Sequence, residues 1–162
     1  MDVIHEKILI SLALFSQVGV ANAEPARFML YLSGKETAIF IFEKNIEKKK
    51  KFVRAWIQKI ENPRYVKDGD SYSQSVRWQA NCANRTIQAL SSVSYDLNGK
   101  PISWSNVPGK LLPLVPDTYA AEYFEILCDP KFPNIKSLTT PMSDPEEYAK
   151  KAFKVFEENS SK

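Results

Sequence analysis

Hydrophobic and polar positions split the chain into a β-patterned stretch and a helix-patterned stretch. Residues 28–32 are short and apolar, and Ser33-Gly34 marks a turn behind them. Residues 37–43 are aromatic and β-branched, a texture that suits a pleated, half-buried surface. Residues 52–60 alternate. Phe52, Arg54, Trp56, Gln58 and Ile60 share one face, while Val53, Ala55, Ile57 and Lys59 share the other. Neither face is wholly apolar, so the pattern predicts a strand without saying which side is buried. "ENPRYVKDGDS" breaks the run, with Asn62-Pro63 and Asp68-Gly69 as turn signals. Strand patterning resumes over 72–81 and Thr86–Tyr95, and Asn98-Gly99 is a hairpin signal leading into a strand around 102–104. About six strands with short connections predict an antiparallel sheet.

The texture then changes. "VPDTYAAEYFEILCDP" reads as a helix with Asp117 or Thr118 as N-cap, Tyr119, Tyr123, Ile126 and Leu127 near helical spacing, and Asp129-Pro130 as the stop. From Lys131 a proline-marked linker leads to a second helical pattern. There Ser143 or Asp144 can cap, Pro145 suits the first turn, and Glu146 and Glu147 favour the positive end of the helix dipole. Tyr148, Ala152, Phe153 and Phe156 form its apolar stripe, expected to dock on the domain itself. The predicted fold class is α+β: an antiparallel sheet of about six strands, one helix packed on it, and a C-terminal helix.

The N-terminus adds a compartment. An apolar run from Ile8 to Val20 precedes Ala21-Asn22-Ala23, the A-x-A pattern of a cleaved secretory signal. Ser11, Ser16 and Gln17 interrupt the run, and it is too short to span a bilayer. The expected organisation is a signal over 1–23, a sheet-plus-helix domain over 24–130, and a linker with an amphipathic helix over 131–162. The protein is expected to be exported, periplasmic or secreted, with no membrane span. No Cys follows the apolar run, so no lipid anchor is expected at the cleavage site.

Export changes the reading of the two cysteines, Cys82 and Cys128. In an oxidising compartment a lone pair is usually bridged, and only one intramolecular pairing exists. One lies at a strand end and the other at a helix end, so the bridge would pin helix to sheet. Arg85, three positions after Cys82, is read as a structural residue beside the disulfide, holding a carboxylate or carbonyls with its guanidinium.

Charge adds one feature. The formal net charge of +3 is too mild for a nucleic-acid footprint. Its densest point is Lys48, Lys49, Lys50 and Lys51, expected to be a hairpin end, with anion or partner binding as the functional alternative. The only His is His5, inside the predicted signal, so histidine triads and histidine metal sites are absent beyond it. The close acidic pairs, Asp68/Asp70 and Glu146/Glu147, sit in a turn and at a helix start. No catalytic residue, metal or cofactor is expected. Trp56, Trp78 and Trp104 are expected in the core and on sheet faces rather than as a sugar platform.

Taken in order, these pieces resemble the bacterial surface-adhesin protein E family: a strand carrying Trp56; Cys82 followed by Arg85; the turn Tyr95, Asp96 and Gly99; and a helix with Pro116, Thr118 and Glu122 that ends in Cys128. The resemblance covers roughly residues 27–128. It implies a disulfide-bonded sheet-and-helix domain in an exported, non-catalytic protein that binds macromolecules such as host matrix or serum proteins. The chain differs from the adhesin in lacking a lipid-attachment Cys and in carrying a further C-terminal helix. The alternative is a soluble periplasmic structural, inhibitor or envelope-assembly module without host contact. The expected partner is a protein or an anionic envelope or glycan component.

Overall fold

A computed structural model of the protein describes residues 28–33, 35–42, 46–132, 141–142 and 144–160; the predicted signal segment and most of the predicted linker lie outside these. The elements run β1 (Phe28–Ser33), β2 (Thr37–Phe42), β3 (Glu47–Lys48), β4 (Val53–Glu61), a 3-10 turn (Pro63–Tyr65), β5 (Ser73–Asn81), β6 (Thr86–Tyr95) and β7 (Pro101–Ser105). Then follow β8 (Leu112–Pro113), α1 (Tyr119–Cys128), β9 (Pro141–Met142) and α2 (Pro145–Ser160). One sheet has the order β7-β6-β5-β4-β2-β1-β9, with β3 on β4 and β8 on β6. Every pairing is antiparallel. The α+β architecture and the six longer strands agree with the sequence pattern. The additional strands, β3, β8 and β9, have two residues each, too few to carry a period.

The ambiguous alternation of β4 has a physical reason: helices lie on both faces of the sheet. On one face Ile39, Ile41, Val53, Ala55, Ile57, Ala80 and Ile87 pack against Tyr123, Phe124, Ile126 and Leu127 of α1. On the other, Ala38, Phe40, Ile60 and Tyr72 pack against Ala149 and Phe153 of α2. The register sets Ala38 opposite Ile60 and Ile41 opposite Ile57, so β2 and β4 send apolar side chains both ways. A strand covered on both sides reads as a continuous apolar run, as "AIFIF" in β2 does.

Caps fix both helices. Thr118 Oγ1 accepts from the Ala121 amide at 3.3 Å, and Asp144 Oδ1 accepts from the Glu147 amide at 2.9 Å. In α2 Pro145, Ala149 and Phe153 are buried at intervals of four, while Tyr148 and Phe156 are 37% and 39% exposed. The buried stripe is therefore rotated from the expected one, with Ala149 and Phe153 meeting Ala38, Phe40, Ile60 and Tyr72 of the sheet side. Tyr72 buries its hydroxyl without a hydrogen-bond partner among the described residues, and burial pushes its pKa up to about 12. Between β6 and β7, Asp96 Oδ1 accepts from the amides of Asn98 at 2.8 Å and Lys100 at 2.9 Å. Gly99 supplies the positive φ of 75° that this turn needs.

Candidate functional site

The β5–β6 turn, the β3–β4 turn and the C-terminus of α1 meet at one end of the sheet. Cys82 and Cys128 are bridged there, with Cα atoms 5.5 Å apart. The preceding Asn81 side chain accepts from the Asn84 amide at 3.2 Å, and Arg85 closes the turn in the left-handed region at φ 50°. Arg85 Nη2 lies 3.6 Å from Glu125 Oε1, and its guanidinium carbon lies 5.5 Å from the centre of the Phe124 ring. Both charged side chains are about two-thirds exposed, at 69% and 66%, so water screens the pair. Arg85, Glu125 and Asp129 line a shallow cleft of about 360 Å³ on one side of the disulfide.

On the other side of the disulfide lies the lysine run. Lys48 ends β3, and a bond from the Lys49 amide to the Phe52 carbonyl at 2.9 Å closes the turn into β4. Lys48 Nζ donates to the Phe132 carbonyl at 3.1 Å, while Lys49, Lys50 and Lys51 are exposed. The four lysines share a cleft of about 200 Å³ with Cys82, Leu127, Cys128 and Pro130. Glu47 does not neutralise them. It is engaged by Arg54 at 3.3 Å and by Arg77, and Arg54 Nε donates to Gln79 Oε1 at 2.7 Å. The sequence placed a hairpin end at these lysines; what it did not show is that the hairpin folds against the disulfide.

A second surface was not expected. At its end of the sheet order, β7 pairs only with β6, and all but the last of its residues are exposed. Trp104 stands opposite Val93 and is 76% exposed; Val107 is 78% exposed and Leu111 58%. Ile102, Leu112 and Val115 are exposed too. The segment is tied to β6: the Gly109 amide donates to the Ala89 carbonyl at 2.9 Å, and Gln88 Nε2 donates to the Gly109 carbonyl at 2.8 Å. A signal exists in the sequence, since residues 101–119 contain no charged side chains except Lys110 and Asp117. Trp78 differs from Trp104. It is half-buried, with its ring 5.6 Å from that of Tyr123 on α1.

Among the described residues, no group of three or more His, Cys, Asp or Glu side chains could hold a metal ion, and no helix is long and apolar enough to cross a membrane. The family model for surface-adhesin protein E matches residues 28–129. The chain belongs to the surface-adhesin protein E family. The match takes in the whole path from β1 through α1, both cysteines, the lysine turn and Trp104, and it stops short of α2. No curated protein and no solved structure matches the chain. Membership supports an adhesin-like role, and together with the disulfide it fits an exported protein.

Proposed function

We propose that this adhesin E domain is an exported, non-catalytic binding protein that attaches to host matrix or serum proteins through its β7–β8 edge. The observation that carries the reading is the exposure of Trp104, 76%, on an edge strand that hydrogen-bonding holds in place. Crowding large apolar side chains on an ordered surface is costly in water, and such surfaces mark protein contacts. Tryptophan is among the residues that contribute most when an interface closes over them. Catalysis finds little to build on. Both cysteines are bridged, and no His follows His5. The exported protein should bind saturably to at least one immobilised human matrix or serum protein, measured by biolayer interferometry at physiological salt. Failure across the panel, or confinement of the protein to the periplasm of intact cells, contradicts the reading.

A further inference from the structure

We infer that the cleft beside the disulfide is an anion site for a phosphate ester carried on a small polar body, a sugar phosphate or a phospholipid headgroup. Three observations carry this. First, charge: among the described residues Lys49, Lys50 and Lys51 have no anionic partner, because the nearby carboxylate of Glu47 is taken by Arg54 and Arg77. A lysine ammonium binds phosphate as a point charge, so three on one turn suit a compact doubly charged group. Second, shape: the cleft of about 200 Å³ is backed by Leu127 and the disulfide. At about 30 Å³ per water this is the volume of roughly seven waters, which accommodates a phosphate and a small polar body. Third, limits: across the disulfide the next cleft is lined by Glu125 and Asp129 as well as Arg85. Those carboxylates interrupt the positive track, so a long linear polyanion crossing this end would meet repulsion. Lys48, held by the Phe132 carbonyl, anchors the turn against the segment that follows α1.

This site is distinct from the β7–β8 edge, and its test does not depend on host-protein binding. The exported protein would be titrated, at low ionic strength, with phosphatidylcholine vesicles containing phosphatidic acid and with vesicles of phosphatidylcholine alone. The acidic vesicles should bind, and the neutral ones should not. The pair Lys49→Gln/Lys50→Gln should weaken binding about 30-fold, each lysine near an anionic surface contributing roughly fivefold. The pair Lys150→Gln/Lys154→Gln removes the same charge from α2 and should leave binding within about twofold of the parent. Millimolar sn-glycerol 3-phosphate distinguishes the sources. Displacement assigns the site to the free ester, and persistence of lysine-dependent vesicle binding assigns it to the headgroup; both keep the phosphate-ester site. Equal weakening by the two pairs overturns it, because net charge would then carry the binding. Absence of binding to the acidic vesicles, or full binding after loss of Lys49 and Lys50, overturns it as well.

Discussion

Removing the disulfide should lower stability without undocking α1. The perturbation is Cys82→Ala together with Cys128→Ala. The bridge spans 46 positions, and loop closure of that length removes about 4 kcal/mol of unfolded-state entropy at 25 °C. The folded state has its own hold on α1. Tyr123, Phe124, Ile126 and Leu127 are at most 5% exposed, and each such side chain contributes about 1.5–3 kcal/mol by leaving water. The helix should therefore stay docked, with the cost arising from a freer unfolded chain. Urea titration followed by tryptophan fluorescence should show a loss of about 4 kcal/mol, and the melting midpoint should fall by roughly 15 °C. The denaturant slope should rise, because an unbridged unfolded chain exposes more surface. A loss below about 1 kcal/mol with the fold intact would refute the loop-closure argument. Loss of helix signal at zero urea would refute the other half, showing that the bridge holds α1 in the native state.

Two further substitutions probe features local to the fold. Tyr72→Phe removes a buried hydroxyl with no partner among the described residues, and should raise stability by about 1 kcal/mol at pH 7 in urea unfolding. The Tyr72 pKa is raised in the folded state from 10.0 to about 12, so folding favours the neutral phenol. That contribution is intact below pH 10 and is lost as pH climbs towards 12, so the variant should show a shallower alkaline decline. Tyr123, also raised by burial, leaves a residual decline in both proteins. An identical alkaline limb in parent and variant would contradict the assignment. Arg85→Gly and Arg85→Ala both lose the exposed pair with Glu125, but only glycine relieves the left-handed backbone at φ 50°. The glycine variant should be more stable than the alanine variant by about 1 kcal/mol in paired thermal melts, and the reverse order would contradict a strained turn.

Local chemistry made much of this legible in advance. Alternation and turn residues marked the six longer strands, Thr118 and Asp144 were each one of two cap candidates, and two cysteines in a chain expected to be exported left one intramolecular pairing. The rest depends on contacts distant in sequence. Which face of α2 is buried follows from Ala149 meeting a sheet surface that contains Ala38 and Phe40, which no helical period within 145–160 encodes. The lysine turn becomes a cleft because the end of α1, far along the chain, packs beside it and is bridged there. Trp104 stands on the sheet, as expected, but its exposure was not legible, for the opposite reason. An apolar residue in a strand pattern is ordinarily covered, but β7 lies at the sheet edge, where burial depends on what neighbours it.

The most direct test of adhesin-type attachment compares Trp104→Ala with Tyr65→Ala, a second exposed aromatic located on the 3-10 turn. Trp104 and Tyr65 are 76% and 44% exposed, so both variants should keep the parent's stability within about 0.5 kcal/mol. Against the matrix or serum protein that the parent binds, Trp104→Ala should raise the Kd about 30-fold, as expected for a central interface tryptophan, while Tyr65→Ala should leave it unchanged. Undiminished binding by a folded Trp104→Ala variant would contradict attachment through the β7–β8 edge.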